Sequence, residues 1–145
     1  TRLLRGKTDV IMMLNGALGG LVAITAEPLM PSPIAAIIIG GIGGALVFFG
    51  TELLVKMKID DVVGAIPVHF IAGIWGTLAV PITNPDTSFG AQLLGTASIC
   101  VFVFVVSFII WTILKATIGI RISEEAEKEG TDVVETGVVA YSIRD

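Results

Sequence analysis

One cysteine and one histidine in 145 residues leave little of the side-chain chemistry from which enzymes and metal centres are built. Cys100 stands alone inside a long apolar run, which excludes a disulfide within the chain and a multi-cysteine metal site and gives it the reading of a small buried hydrophobe. His69 has no nucleophile and no cluster of metal-ligating side chains beside it in sequence, so the chain reads as a non-enzyme that needs no metal and no cofactor. Charge is equally scarce. With 15% charged against 54% hydrophobic residues there is too little polar surface to clothe a soluble domain of this size, and the composition predicts a membrane protein. The net charge of -4 arises mainly from an acidic final tail, and no nucleic-acid partner is expected. The chain also lacks an initiator Met and a cleavable leader, and its opening residues resemble a loop, so it reads as a piece of a longer polypeptide.

What is present is apolar sequence in long blocks. Four runs, 10–26, 28–51, 62–85 and 87–114, contain no Asp, Glu, Lys or Arg. Each can supply the ~20 apolar residues that cross a bilayer as a helix, the first close to the short limit. The strict alternation of barrel strands is missing. The fold class expected is therefore an all-α membrane protein with four transmembrane helices, at about 10–26, 33–52, 62–82 and 89–114, making a membrane region over 1–114 and a tail over 115–145. Every Lys and Arg (Arg2, Arg5, Lys7, Lys56, Lys58, Lys115, Arg121, Lys128 and Arg144) precedes the first run, lies between the second and third, or follows the fourth. The positive-inside rule then places both termini and the middle loop in the cytoplasm, with 27–33 and 83–88 facing outward, in a multi-pass protein of the cell membrane.

Local signals refine these helices. Asp9 or Thr8 can cap the first, Ser32 followed by Pro33 the second, Asp61 the third, and Ser123 a short acidic helix over 124–129 that Gly130 ends. Gly16-x-x-x-Gly20 and Gly40-x-x-x-Gly44 read as seams for close helix packing, and Asn15 as a polar tie between helices. The cluster Gly40-Gly41-Ile42-Gly43-Gly44 is no nucleotide loop, because no strand precedes it and no Lys-Ser/Thr follows. In the third helix Pro67 removes one ladder bond, which predicts a bend before His69 and a free Val63 carbonyl. At 100° per residue the His69 face is shared with Val62, Ala65, Ile66, Ala72, Gly73, Gly76 and Val80, while Phe70, Ile71, Ile74, Trp75 and Leu78 point elsewhere.

An imidazole at membrane depth is either a strut between helices or part of a substrate path. The cost of holding an ionisable group in hydrocarbon favours the path. Asp61, at a helix end near water, is the reverse case and reads as a cap rather than a proton acceptor.

The pattern Asp60-Asp61-x-x-Gly64-Ala65-x-x-Val68-His69-x-x-x-Gly73-Ile74-Trp75-Gly76-Thr77-Leu78 closely resembles the tenth transmembrane helix of the ammonium transporter (Amt/Mep/Rh) family. Gly6-Lys7-Thr8-Asp9 and the run 15–26 are similar to the loop and eighth helix of that family, and the stretch from Gly119 through Arg121, Glu124, Glu125, Gly130, Asp132 and Tyr141 to its cytoplasmic tail. The resemblance covers helices eight to eleven and the tail. It implies part of an eleven-helix bundle built from inverted repeats, a homotrimer, and one apolar pore per subunit for ammonium and ammonia. His69 then falls on the second of two paired pore histidines, Leu18 and Ala65 on pore-wall positions, and Asp61 on an acidic position near the pore. Gly119, Arg121, Glu124, Glu125, Gly130, Asp132 and Tyr141 fall in a regulatory tail that, in many members, helps a PII signalling protein control the pore. The sequence departs from the family at Phe70, where many members have Gly, and at Thr131 and Thr136, where many have Leu and His. The partner histidine, the outer aromatic cation site and the phenylalanine gate belong to family helices that this chain does not contain. The expected function is that of the C-terminal portion of an ammonium channel or transporter. The alternative is a non-transporting ammonium sensor or assembly subunit acting through its tail.

Overall fold

The computed structural model describes residues 6–140, and these contain helices and no strand. In chain order the helices are α1 (Val10–Ile24), α2 (Pro33–Lys56), a π-helical turn (Ile66–Ile71) running directly into α3 (Ala72–Thr83), α4 (Phe89–Thr117), α5 (Glu124–Glu129) and a second π turn (Asp132–Thr136). Three are long and apolar enough to cross a membrane: Pro33–Lys56, the continuous Ile66–Thr83, and Phe89–Thr117. At 1.5 Å per residue these measure about 36, 27 and 43 Å against a hydrocarbon core of about 30 Å. α1 has 15 residues and is shorter than the expected run, because both the amide and the hydroxyl of Thr25 turn back to the Val22 carbonyl and close the helix. Tyr141, assigned to the tail by resemblance, lies outside the described residues.

The chain divides into two compact units, one ending at Cys100 and one beginning at Val101. In the first, α1, α2 and α3 pack on one another through glycine. A Cβ built on Gly20 would stand 3.0 Å from the Gly40 carbonyl oxygen, one on Gly44 2.9 Å from that of Gly16, and one on Gly43 2.8 Å from that of Gly19. The two seams read in the sequence therefore face each other. In a bilayer, where lipid is as apolar as the helices, such close approach supplies the attraction that the hydrophobic effect supplies in water. Two apolar clusters fill the remaining space: Ala23, Ile39 and Ala79 beside Trp75, and Val47, Val68 and Ala72 beside Val22. Trp75 Nε1 donates to the Ile39 carbonyl at 3.0 Å, tying α3 to α2. At one end of this packing Asn84 Nδ2 donates to Glu27 Oε2 at 2.9 Å, joining the loop after α1 to the loop after α3.

In the second unit Ser123 caps α5, its Oγ accepting from the Ala126 N–H at 3.2 Å, and Gly130 ends the helix with its N–H on the Ala126 carbonyl. Gly119 returns its N–H to the Leu114 carbonyl, closing α4. Arg121 reaches Glu127 at 3.2 Å; both side chains are exposed, so the pair adds little stability. Glu124 and Glu125 occupy the exposed first turn of α5, where negative charge suits the helix dipole. Asp132 Oδ2 accepts the Ala140 N–H at 2.8 Å, folding the chain back on itself. That hydrogen bond holds the Asp132 carboxyl below the ordinary carboxylate range against an opposing effect of burial, with smaller help from the Val133 and Asp132 backbone. A depressed pKa stabilises the fold-back at pH values above the ordinary carboxylate value and loses that stabilisation as pH falls through the folded value. The protection factor of the Ala140 amide against deuterium exchange, taken relative to the intrinsic rate at each pH, should accordingly fall below about pH 4 while the protection factors of the α5 amides change little.

Candidate functional site

The second of the three membrane-length helices, Ile66–Thr83, is built to hold His69 in a fixed place. Its start differs from the sequence expectation. Residues 62–64 form a turn and the helix begins four residues later than 62, because Gly64 takes a left-handed φ of +77°. That conformation suits glycine, and a Cβ there would also meet Asn15 Nδ2 at 2.5 Å. The Asp61 carboxylate spans the opening turn, Oδ1 accepting the Ala65 N–H at 2.8 Å and Oδ2 the Ile66 N–H at 2.9 Å. Replacing Asp61 by Ala frees both donors, and the expected cost is about 1 kcal/mol, within about 0.5–2, read as a lowered unfolding midpoint in detergent. Asp61→Asn, which keeps one acceptor oxygen, should lose less. Abolished flux in a fully stable Asp61→Asn protein would instead make this carboxylate a proton acceptor.

Pro67 also sits differently from expectation. It lies in the first turn of the π segment, where a missing N–H costs nothing, so it starts the helix rather than bending its interior. The Val63 carbonyl is not left free: Asn15 Nδ2 donates to it at 3.0 Å from α1. The polar tie expected of Asn15 is thus made to the backbone just ahead of this helix.

The π turn changes which residues face together. It is wider than an α-turn and advances less than 100° per residue, so the α-helical wheel fails across 66–71. Pro67, Val68, Ala72, Gly76, Ala79 and Val80 are buried against α1 and α2, whereas His69 and Phe70 are exposed. His69 therefore does not share its face with Ala72, Gly76 and Val80. It opens instead on a cavity of about 280 Å³, one wall of which includes Phe70 of the π turn and Gly73, Ile74 and Thr77 of α3. Phe70 and Ile74, expected to point elsewhere, belong to the same wall. The wall opposite comes from the first three turns of α4, including Gln92, Gly95, Thr96 and Cys100. The imidazole makes no hydrogen bond among the described residues.

Leu18 and Ala65, the two other pore-wall candidates, are exposed and do not line that cavity. Their placement is still informative. Asn15 and Val22 flank Leu18 on one side of α1; Asn15 bonds Val63, and Val22 lies 3.8 Å from where a Gly73 Cβ would stand. Leu18 is thus level with the middle of 63–73, the segment that carries His69. Gln92 and Thr96 were missed in the sequence, where α4 reads as almost wholly apolar. The usable signal is the spacing of Gln92, Thr96 and Cys100, four residues apart on one helix face.

The tail residues form a second concavity within their own unit, of about 600 Å³, lined by Arg121, Glu127, Gly130, Thr131, Asp132 and Ala140. Glu124, Glu125 and Gly119 lie outside its lining.

Comparison with known proteins gives this geometry its context. Residues 1–141 match the model of the Ammonium Transporter Family. A Synechocystis sp. protein provisionally named an ammonium transporter is 41% identical, the match covering 90% of this chain and 30% of that protein. Ammonium transporter Amt2 of Archaeoglobus fulgidus is 39% identical over 97% of this chain and 34% of its own length, and an ammonium transporter of Bacillus subtilis 36% identical over 93% and 37%. The chain spans about a third of the length of these relatives. A match across nearly every residue, including the turn that carries His69, shows that this all-α membrane chain belongs to the ammonium transporter family.

Proposed function

We propose that the chain is the C-terminal portion of an ammonium channel or transporter and that His69 lines the path taken by ammonium or ammonia. The observation that carries this reading is the state of the imidazole: exposed on a cavity, without a hydrogen-bond partner among the described residues, on a segment whose backbone Asp61 and Asn15 hold in place. Ammonia entering an apolar path loses its water and needs a neutral hydrogen-bonding group there, while a metal cation cannot shed its charge by deprotonation and is held back by the cost of desolvation.

Within this reading Leu18 and Ala65 contribute apolar wall, and Asp61 holds the start of the helix. On this reading the partner histidine and the outer cation site belong to the remainder of the full-length protein. The charge distribution supports a cytoplasmic position for both ends of the chain. The tail, from Gly119 through Arg121, Glu124, Glu125, Gly130 and Asp132 to Tyr141, contacts neighbouring subunits of a homotrimer and is the surface open to a PII protein.

The test is reconstitution of the full-length protein in proteoliposomes under an ammonium gradient. Saturable ammonium flux that potassium neither replaces nor blocks supports the reading. No flux, together with an ammonium-dependent change in binding to the tail, would make the protein a sensor.

A further inference from the structure

The π turn brings a second side chain to the wall that carries His69. Phe70 follows the imidazole in sequence, lines the same cavity of about 280 Å³, and is 53% exposed. Packing within this chain does not account for it. The buried face of the same helix carries Pro67, Val68 and Ala72, and the ring pairs among the described residues, Phe48 with Phe49 and Phe104 with Phe108, leave Phe70 out. The wall around the ring is uneven. Gly73 presents no side chain, and a Cβ built there would meet only Val22 Cγ1 within 4 Å, at 3.8 Å. Phe70 is therefore the bulkiest group on this wall. Successive helical residues lie about 1.5 Å apart along the axis, so the ring starts from the depth of the imidazole.

We propose that Phe70 sets the width of the path beside His69, and with it the size of the amine that reaches the imidazole, favouring ammonium over methylammonium. The assignment rests on the pore role proposed for His69. A phenyl ring offers a polar guest no hydrogen bond; it offers a cation its π face, and any guest its bulk. The two effects separate on methylation. Methylammonium carries the same charge as ammonium, so attraction to the ring face discriminates weakly between them, whereas a rigid ring meets the added methyl group directly. The backbone behind the ring is also fixed. Asp61 accepts from the Ala65 and Ile66 N–H groups and Asn15 donates to the Val63 carbonyl, so the segment that bears Phe70 cannot back away from a larger guest without breaking these bonds. Phe70 is thus a specificity-determining residue, while the hydrogen bonding to the guest stays with His69.

The experiment replaces Phe70 by Ala, Leu and Trp in the full-length protein and measures ammonium and radiolabelled methylammonium uptake per folded molecule in proteoliposomes. The ratio of methylammonium to ammonium flux should rise about tenfold in Phe70→Ala, the low end of the roughly 10–200-fold that one methyl group is worth against a close apolar wall. It should rise less in Phe70→Leu and fall below wild type in Phe70→Trp. A ratio ordered by side-chain size upholds the proposal. It is overturned if the ratio is the same across the series, if it changes without following side-chain size, or if the yield of folded protein drops while the ratio holds, which marks a packing contact with the rest of the full-length protein. Phe70→Leu and Phe70→Trp carry the test if Phe70→Ala gives no assembled protein. His69→Ala in the same assay keeps the two claims apart. Undiminished flux there would overturn the pore role of the imidazole, whereas an unchanged ratio in the Phe70 series beside reduced flux in His69→Ala strikes the size limit alone.

Discussion

Replacing His69 by Ala in the full-length protein is expected to lower ammonium flux by about tenfold to a hundredfold while leaving assembly nearly intact. The size follows from a hydrogen bond between the imidazole and a guest that is ionised in one of its states, worth about 1.5–3 kcal/mol, at about 1.4 kcal/mol per factor of ten. Intact assembly follows from the environment. The side chain is exposed and makes no hydrogen bond among the described residues, so within this chain its removal opens no packed core and frees no bonded partner. The buried face of the same helix, Pro67, Val68 and Ala72, is untouched. His69→Gln separates two roles. Its amide still donates and accepts but cannot take up a proton, so it should recover part of the flux and lose any proton moved with ammonia. The assay is flux and current in the same proteoliposomes. If His69→Ala moved ammonium at the wild-type rate, with the same selectivity and the same charge per molecule, the imidazole would lie off the path.

Much of this arrangement was legible in local sequence, because local sequence governs capping and close packing. Asp9, Ser32, Asp61 and Ser123 each place an oxygen on the free N–H groups of a helix start, as their position before an apolar or acidic run implies. The glycine spacing at 16, 20, 40 and 44 likewise announces two surfaces that allow backbones to touch. What failed was the assumption of uniform rotation. One glycine with a positive φ delayed the helix to 66, and one π turn then moved His69 away from Ala72 and Gly76 and brought Phe70 and Ile74 to its side. Neither event leaves a period in the sequence. The contacts that fix the level of the helices, Asn15 to Val63 and Trp75 to Ile39, join residues 48 and 36 positions apart and follow from topology rather than pattern.

Gly76→Val should do the most damage to assembly of any single change on α3. A Cβ at this position overlaps the carbonyl oxygen of Ala23 and stands 2.8 Å from the Ala23 carbonyl carbon and Cα. These are backbone atoms of α1, which cannot swing aside as the end of a side chain can, so α1 and α3 must move apart. Separation opens the cluster of Ala23, Ile39 and Ala79 and strains the Trp75 bond to the Ile39 carbonyl. Overpacking of this kind costs about 1–3 kcal/mol and occasionally more, and in a bilayer no hydrophobic driving force between helices offsets it. Gly41 gives the comparison. A Cβ there meets nothing within 4 Å among the described residues, and exchange of a helical glycine for alanine gains about 0.5–1 kcal/mol in backbone entropy. Gly76→Ala should already lower the midpoint of unfolding in a denaturing-detergent titration and Gly76→Val should leave little folded protein, whereas Gly41→Ala should hold or raise it. A Gly76→Ala protein as stable as wild type would mean that α1 and α3 do not meet at Ala23.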